Sequence, residues 1–484
     1  MIRSRIALAC ALALGWLSGV AAAEPAGRRL PNIVFFLADD LGFGEVGYNG
    51  QKLIQTPNID KLAGEGMRLN NMYAGCTVCA PSRCVLMTGL HTGHCFIRGN
   101  ANLALRPGDV TVAEFLKQHG YATAITGKWG LGMEHTTGSP PKQGYDLSYG
   151  YYSQTHAHNY WPEFLMRLED RVPLRNVVGD EWKDRRDGAG VAVKKVDYSD
   201  DFIMNEALTW VRNHVEQHRE QPFFLYLANT LPHANNEANK AIHDGNEVPD
   251  FGIYKDKPWK KQNIGHAAMI ARLDDDLGKV MALLKEKGLD GNTLVIFSSD
   301  NGPHREAGNE PEFFKSAGPY RGIKRDLTDG GIHEPSIARW TGKIQPGSST
   351  DHVMYFGDFF ATAAELIGAE APAKLDSISF LPSILGKSGQ KEHEYLYWEF
   401  HEGGFKQAVR AGDWKAIRFP NGHTELYDLP NDLHEDHDLA KEKPDVVKKM
   451  QGYMDQSHVE APEWPTTGVK QAKGKRNKGK KTAE

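Results

Sequence analysis

Hydrophobic residues along this chain fall into short continuous runs, each of which stops abruptly at polar residues. Four such runs cover residues 32–38, 121–126, 222–228 and 293–297. Hydrophobicity that is continuous rather than alternating is typical of strands buried on both faces. The pattern therefore predicts a mostly parallel sheet in the interior of the protein.

Amphipathic segments lie between these runs and predict helices. Thr56-Pro57 has the form of a helix start, and residues 110–119, 202–214 and 267–287 each present one apolar face. Strands that alternate with helices predict an α/β fold, here a large mixed sheet sandwiched by helices. In such sheets, functional groups gather at the carboxyl ends of the strands.

A second region begins near residue 391 and has a different pattern. Short strand-like segments at residues 395–400, 407–410, 414–418 and 425–429 are joined by turns rich in Gly, Asn and Asp. They predict a small C-terminal antiparallel sheet, followed by a terminal helix over residues 444–454. We therefore expect a catalytic domain over residues 24–390 and a small α+β subdomain over residues 391–465.

The N-terminus has the pattern of a signal peptide. Arg3 and Arg5 precede an apolar run over residues 6–17, and residues 20–23 supply a cleavage site after Ala23. The apolar run is shorter than the roughly 20 residues needed to cross a bilayer. Residues 1–23 therefore predict an exported protein, periplasmic or secreted, with no membrane anchor.

The charge distribution argues against one class of partner. The 484-residue chain has a formal net charge of −5, but residues 1–23 carry +2 and a Lys-rich tail over residues 466–484 carries +6. The remaining residues, 24–465, therefore carry −13. A body this acidic is not expected to bind nucleic acid through its overall field. The tail has a composition that predicts disorder, and it is either solvated or a site for polyanions.

Cysteine is the most unevenly distributed residue type in the chain. Four of the five cysteines lie between Cys76 and Cys95, and Cys10 belongs to the predicted signal peptide. Zinc sites usually take two well-separated pairs of ligands, which this run does not supply. A chain of this length also buries a core without a disulfide framework.

The residues around Cys79 point to a different role. Pro81 suits the first turn of a helix, so Cys79 is expected at a helix N-terminus, where the dipole and free N–H groups attract anions. Arg83 adds a planar cation close by. A nucleophile in this position is suited to handling a tetrahedral oxyanion.

The segment from Cys79 to Gly89 resembles the signature of the sulfatase family in the alkaline-phosphatase superfamily. That signature is Cys-x-Pro-x-Arg, four further residues and Thr-Gly, and the likeness extends from Asn32 to about Leu439. The chain is similar to the arylsulfatase and N-acetylgalactosamine-6-sulfatase type. The resemblance implies an alkaline-phosphatase-like fold. It also implies that a formylglycine-generating maturation enzyme converts Cys79 to Cα-formylglycine (3-oxoalanine), whose hydrate attacks sulfur.

Oxygen-bearing side chains after two of the runs indicate a metal site. Asp39 and Asp40 follow the first run, and Asp300 and Asn301 follow the last. Ligation by oxygen alone favours Ca²⁺ or Mg²⁺ over zinc. Either pair taken alone is also common in turns. The resemblance implies that the four residues bind Ca²⁺, with Mg²⁺ as the alternative ion.

The resemblance implies roles for four further residues. Arg83 matches the arginine that holds the formylglycine, and Lys128 and Lys324 match lysines that bind the sulfate. His233, which follows a buried run, matches the histidine that protonates the departing alcohol as a general acid.

One position departs from the family pattern. Many sulfatases carry a histidine two residues after the lysine that matches Lys128, and this chain has Gly130 there. The base for sulfate release is therefore unassigned. His135 is the nearest candidate in sequence, followed by His91 and His94.

Two further segments are candidates for substrate contacts. Residues 151–161 are rich in aromatic and hydrogen-bonding side chains, which suits either stacking on sugar rings or covering the core. His401 and Glu402 follow a strand of the small subdomain and are candidate specificity residues.

Together these features predict a sulfatase that hydrolyses sulfate monoesters by S–O cleavage, on a sulfated carbohydrate or an aryl sulfate. The alternative enzyme is a phosphomonoesterase or phosphonate hydrolase of the same superfamily, although most such phosphatases use Ser or Thr and two zinc ions. Gly130 also leaves open a sulfated-glycan binding protein without activity.

Overall fold

The computed structural model of this protein describes residues 29–182 and 187–466. The predicted signal peptide and residues 467–484 of the basic tail lie outside the described residues. Among the residues described, no helix combines the length and the apolar character needed to cross a membrane.

A ten-stranded sheet forms the centre of the fold. The strands before residue 360 are β1 (Asn32–Ala38), β2 (Met67–Tyr73), β3 (Ala122–Lys128), β4 (Leu147–Tyr151), β5 (Phe164–Arg167), β6 (Asp170–Pro173), β7 (Val177–Val178), β8 (Ala192–Lys194), β9 (Phe223–Ala228), β10 (Thr293–Ser299), β11 (Ile337–Arg339) and β12 (Ser348–Tyr355). β7 and β8 pair with each other, and the other ten run in the order β12-β2-β11-β10-β1-β9-β3-β4-β5-β6. The four hydrophobic runs of the sequence are β1, β3, β9 and β10. They are neighbours and pair in parallel, so the predicted mixed, mostly parallel sheet is confirmed.

Helices pack on both faces of this sheet. They are α1 (Pro57–Glu65), α2 (Cys79–Thr88), α3 (Val112–Gln118), α4 (Ser199–His218), α5 (Asn236–Ile242), α6 (Lys261–Glu286), α7 (Pro311–Phe314), α8 (Asp329–Ile332), α9 (Asp358–Ile367), α10 (Leu381–Ile384) and α11 (Pro444–Ser457). On β1, Ile33, Phe35 and Leu37 join a core with α2, α3 and α9, whereas Val34 and Phe36 join a second core with α1, α4 and α6. Both faces of the strand are therefore apolar, which explains its continuous hydrophobic run.

The small C-terminal sheet shares its core with the large domain. It contains β13 (Leu396–Phe400), β14 (Lys406–Ala411), β15 (Trp414–Arg418) and β16 (Thr424–Asp428) in antiparallel order. One face, with Trp398, Ala408 and Ile417, belongs to the same buried cluster as α2 and α9. The other face, with Val409 and Ala416, packs on α11. The predicted antiparallel sheet and terminal helix are confirmed, and the sheet is packed between the main domain and that helix.

A buried lysine strengthens the connection between the two parts. Lys415 on β15 is fully buried and forms ion pairs with Asp329 and Glu435, with 3.0 Å between Nζ and Glu435 Oε1. Asp329 begins α8, a few residues after Lys324. The small sheet therefore holds in place the segment that carries a predicted site residue.

We predict that Lys415→Ala lowers the free energy of unfolding by about 3–5 kcal/mol, because removing one partner leaves buried carboxylates uncompensated. Chemical denaturation followed by tryptophan fluorescence measures this change. Lys448→Ala, at an exposed position of α11, is the matched control and should change stability by less than about 0.5 kcal/mol. Equal stability of the two variants would show that the buried ion pairs do not hold the subdomain.

Candidate active site

The carboxyl ends of four adjacent strands carry most of the predicted site residues. Neighbouring strands β10 and β1 lead to Asp300 with Asn301 and to Asp39 with Asp40, respectively. Next to them, β9 leads to His233 and β3 ends at Lys128. Cys79 and Arg83 come from α2, and Lys324 comes from the segment before α8. The structure brings all nine of these residues into one buried cluster.

Cys79 lies at the first position of α2, as its sequence predicts. The helix is buried along its whole length and ends at Gly89, whose φ of 68° is the left-handed conformation favoured at helix ends. The Cys79 Sγ atom is 3.3 Å from Asp39 Oδ1 and 4.0 Å from Asp40 Oδ1. Burial and the nearby Asp39 carboxylate raise the pKa of the Cys79 thiol well above its ordinary value. The residue as encoded is therefore a poor thiolate nucleophile.

Arg83 ties three elements of the cluster together. Its Nε and Nη2 atoms donate to Asp300 Oδ2 at 3.0 and 2.8 Å, and Nη1 donates to the carbonyl of Lys128 at 2.6 Å. The side chain has no exposed surface. A guanidinium is suited to this position because its planar fork serves a carboxylate and a carbonyl at once.

Three carboxyl groups and one amide form the candidate metal centre. The Asn301 side chain donates from Nδ2 to Asp40 Oδ1 at 2.7 Å, and the Asp40 N–H donates to Asp300 Oδ1 at 3.1 Å. The buried Oδ1 of Asn301 accepts no hydrogen bond from any residue that the structure describes. Asp40 also has a φ of 67°, an uncommon backbone conformation for a residue other than glycine.

The electrostatics of this centre fit a hard divalent cation. Burial and the neighbouring Asp39 carboxylate raise the pKa of Asp300 to about 7, despite the opposing effect of Arg83. Crowded buried carboxyl groups beside an unpartnered amide oxygen are the donor set that Ca²⁺ and Mg²⁺ prefer. Asp39, Asp40, Asp300 and Asn301 therefore fit the metal site expected from sequence.

Two lysines form ion pairs with carboxylates of the candidate metal centre. Lys128 Nζ is 2.7 Å from Asp39 Oδ2, and Lys324 Nζ is 2.8 Å from Asp40 Oδ2. Burial alone would lower the pKa of each lysine, but the carboxylates outweigh it and raise both pKa values. Both side chains are almost fully buried, so water and salt screen their positive charge only weakly within the cluster.

His233 contacts Lys324 at the edge of the cluster. Its Nδ1 donates to the carbonyl of Ala234 at 2.8 Å, which leaves Nε2 as the acceptor that lies 3.2 Å from Lys324 Nζ. Burial and the positive charge of Lys324 lower the pKa of His233 to about 3. In the free site, His233 is therefore neutral at neutral pH and the proton of the pair resides on Lys324.

Two carboxyl groups near the cluster were missed by sequence reasoning. Glu306 Oε2 is 3.4 Å from Lys324 Nζ and 3.8 Å from His233 Nε2, and its Oε1 accepts a hydrogen bond from Arg325. Glu334 is fully buried, and neither of its carboxyl oxygens has a hydrogen-bond partner in the part of the chain that the structure describes. Both residues lie in loops without a strand-end pattern, so no sequence signal pointed to them.

The histidines considered as the base for sulfate release have their contacts outside the buried cluster. His135 is on an exposed loop and is paired with Glu169, and none of its contacts among the described residues is with the buried cluster. His91 and His94 stack on each other and bond to Asp376. The position of His135 therefore gives no support to it as the base and agrees with a loop histidine that has no catalytic part.

The side chain of Gln154 occupies the space beside Gly130. A Cβ atom there would lie 2.0 Å from Gln154 Nε2, and the φ of Gly130 is +78°. A histidine at this position would need both a strained backbone and a displaced glutamine.

Some of the remaining specificity candidates pack in the core, and others form ion pairs in or near the small subdomain. Tyr151 and Tyr160 from the aromatic segment are fully buried, which favours the core interpretation for them. His401 bonds to Glu399, whereas Glu402 pairs with Arg325 beside Glu306. Glu402 is therefore connected to the site through Arg325.

Comparisons with known proteins agree with this geometry. Residues 31–369 match the family model described as Sulfatase, and residues 323–460 match the one described as N-sulphoglucosamine sulphohydrolase, C-terminal. The chain is 28% identical to an N-acetylgalactosamine-6-O-sulfatase of Bacteroides thetaiotaomicron, over 87% of this chain and 91% of the relative. It is 30% identical to the N-acetylgalactosamine-6-sulfatase of Mus musculus (84% and 74% covered) and 30% identical to arylsulfatase A of Bos taurus (85% and 78% covered).

Solved structures show the same architecture. The crystal structure of Ps i-CgsB in complex with k-i-k-neocarrahexaose superposes with a TM-score of 0.73 and 26% identity, covering 90% of this chain and 95% of that chain. The PsFucS1 sulfatase from Pseudoalteromonas sp. superposes with a TM-score of 0.69 and 25% identity, covering 91% and 92%.

We predict that Tyr160→Phe destabilises the protein by about 1–3 kcal/mol. The Tyr160 hydroxyl lies 2.7 Å from the buried carbonyls of Thr230 and His233. The Thr230 carbonyl also accepts a hydrogen bond from the His233 N–H, so among the described residues the variant leaves the His233 carbonyl unpaired. Thermal or chemical unfolding measures the change. Tyr48→Phe is the matched control, since the buried Tyr48 hydroxyl has no hydrogen-bond partner among the described residues. If both variants lose the same stability, the Tyr160 hydroxyl does not brace the His233 loop.

Proposed function

The chain belongs to the sulfatase family and is a sulfuric ester hydrolase, and on that premise we propose that it removes sulfate from a sulfated carbohydrate. The reaction would use Ca²⁺, with Mg²⁺ as the alternative, and a formylglycine formed from Cys79. The observation that carries this proposal is the buried cluster in which Cys79 lies 3.3 Å from an Asp39 carboxylate and is surrounded by Arg83, Lys128 and Lys324. Relatives named as N-acetylgalactosamine-6-sulfatases support the substrate class.

The cation would be held by Asp39, Asp40, Asp300 and Asn301. When bound, it would supply positive charge that polarises the sulfate oxygens. The formylglycine at position 79 would supply a geminal diol as nucleophile in place of the buried, protonated thiol.

Lys128 and Lys324 orient the sulfate group. Each ammonium group is held by a carboxylate on the β1 end, so neither side chain needs to reorganise when an anion arrives. Preorganised charge in a buried site stabilises developing negative charge more strongly than charge in water does. Arg83 fixes the frame by holding Asp300 and the β3 end, and each of its three nitrogens donates a hydrogen bond there.

The Lys324–His233 pair supplies the proton for the leaving alcohol. The bond from His233 Nδ1 to the Ala234 carbonyl keeps Nε2 directed at Lys324. A proton held between these two nitrogens can pass to the alcohol oxygen as the S–O bond breaks. A sulfate anion beside His233 would raise its pKa from the low value of the free site, which reconciles the neutral imidazole with the general-acid role expected from sequence.

Maturation and location follow from the same residues. Cys79 has about 1% of its surface exposed and starts a fully buried helix, so a formylglycine-generating enzyme would have to reach it before the domain folds. The signal-peptide pattern of residues 1–23 supports export to the periplasm or the medium.

Cys79→Ala is predicted to lower hydrolysis of 4-nitrophenyl sulfate by at least about 10³-fold, because the variant cannot form the nucleophile. The enzyme is produced together with a formylglycine-generating enzyme, and mass spectrometry of the peptide across residue 79 should show the aldehyde. Cys84→Ala is the control, since Cys84 is an equally buried cysteine on the same helix and should keep its activity.

The same preparation separates the alternatives. A strong preference for 4-nitrophenyl phosphate over the sulfate would favour the phosphomonoesterase, and glycan binding without turnover by converted protein would favour the binding protein. Active protein that carries only an unmodified thiol at position 79 would refute the formylglycine mechanism.

Asp40→Asn is predicted to reduce bound calcium from about one ion per chain to well below that, because it removes a charged oxygen from the centre of the ligand set. Elemental analysis of protein equilibrated with calcium measures the stoichiometry, and activity should fall in parallel. Asp445→Asn, at an exposed position of α11, is the control and should retain the ion. Full calcium content in Asp40→Asn would contradict the assigned site.

A further inference from the structure

Three imidazole rings form a row beside the cluster. The ring of His158 stacks on that of His233 with 4.8 Å between centroids and 13° between planes, and His233 stacks on His304 at 5.9 Å and 23°. His304 is about 1% exposed and forms the inner end of the row. His158 forms the outer end, with 14% of its side chain exposed.

His158 is held by a carboxylate that is not part of the cluster. Its Nδ1 is 2.9 Å from Glu237 Oε2, and Glu237 lies in the first turn of α5. Burial alone would raise the pKa of Glu237, but the hydrogen bond from His158 outweighs it and lowers that pKa. The carboxylate is therefore ionised, and it fixes the orientation of the His158 ring by accepting the hydrogen bond from Nδ1.

This arrangement leaves one nitrogen of His158 free for a ligand. Because Nδ1 donates to Glu237, Nε2 is the ring nitrogen that remains for a ligand. No residue in the described ranges forms a hydrogen bond with Nε2. An oriented imidazole with one unused nitrogen is suited to a hydroxyl group, which can both donate and accept a hydrogen bond.

The position of His158 places this nitrogen on the leaving-group side. His233, on which it stacks, lies 3.2 Å from Lys324, and this pair faces the alcohol oxygen in the proposed reaction. Tyr160, two residues further on, anchors the His233 loop from behind, so the two histidines are held in a common frame.

We propose that His158, oriented by Glu237, binds a hydroxyl group of the alcohol half of the substrate, close to the departing oxygen. This inference rests on the proposed function and narrows it. The preferred substrate is then a sulfate ester of a polyhydroxylated sugar, because an aryl sulfate offers no hydroxyl at this position.

The test compares two kinds of substrate in the calcium-loaded enzyme with converted Cys79. One is 4-nitrophenyl sulfate, and the other is a panel of galactose and N-acetylgalactosamine monosulfates. For the best sugar of that panel, His158→Ala should lower kcat/KM by about 10–100-fold, the scale of one lost hydrogen bond, mainly through KM. The loss on the aryl sulfate should be at least about tenfold smaller. His158→Gln, whose amide oxygen can still accept a hydrogen bond, should recover part of the sugar activity, and Glu237→Gln should fall between the wild type and His158→Ala.

His135→Ala is the matched control, because His135 also pairs with a glutamate but lies on an exposed loop. This variant should leave kcat/KM unchanged on both kinds of substrate. If His158→Ala lowers kcat/KM equally on both kinds of substrate, the ring only supports His233. If kcat/KM on the sugar is unchanged, the ring binds no part of the substrate. Either result overturns the proposal. A wild-type enzyme active on the aryl sulfate but on no sugar of the panel would overturn it as well. A wild-type enzyme inactive on every sulfate ester would instead refute the proposed function.

Discussion

The buried ion pair between Arg83 and Asp300 is the contact on which the rest of the site depends. Cys79 and Arg83 are four residues apart on α2, so they lie on the same face of the helix. The fork of Arg83 holds the end of β10 through Asp300 and the end of β3 through the Lys128 carbonyl. The helix that presents Cys79 is therefore fastened to two strands at once. Loss of either charge would leave its partner buried without compensation, which is strongly unfavourable.

The same constraint governs the other charges in the cluster. Asp39, Asp40 and Asp300 are matched by Arg83, Lys128 and Lys324, so the cluster is close to neutral when all six are charged. A divalent cation and a sulfate monoester anion carry opposite charges, and binding both changes the net charge of the buried region only slightly. This explains how a densely charged site can remain buried and still accept both components.

Much of the fold and the centre of the site follow from sequence, for a specific physical reason. Parallel strands buried on both faces have continuous hydrophobic runs, and their carboxyl ends meet at one edge of the sheet. The positions of Asp39, Lys128, His233 and Asp300 within a few residues of the ends of such runs are therefore enough to predict that they lie together. The helix start at Cys79 follows equally from Pro81.

The contacts that sequence reasoning could not supply are those set by the paths of loops. Glu306 reaches Lys324 and His233 from a loop, and Glu237 reaches His158 across 79 positions of the chain. Neither contact is marked in the sequence by a hydrophobic periodicity or by the end of a predicted strand. Proximity in sequence is misleading for His135, which is only seven residues from Lys128 but lies on an exposed loop.

The net charge of −13 on residues 24–465 does not oppose sulfate binding as strongly as its size implies. Charges on the body that are separated from a ligand by more than about 8 Å are largely screened at physiological ionic strength. Lys128 and Lys324 instead act at contact distance in a buried region, where screening by salt is much weaker. The acidic body therefore mainly slows the approach of an anionic substrate, whereas the buried lysines determine its affinity once it has arrived. The two effects have different ranges, so an acidic surface and a sulfate site can exist in one protein without conflict.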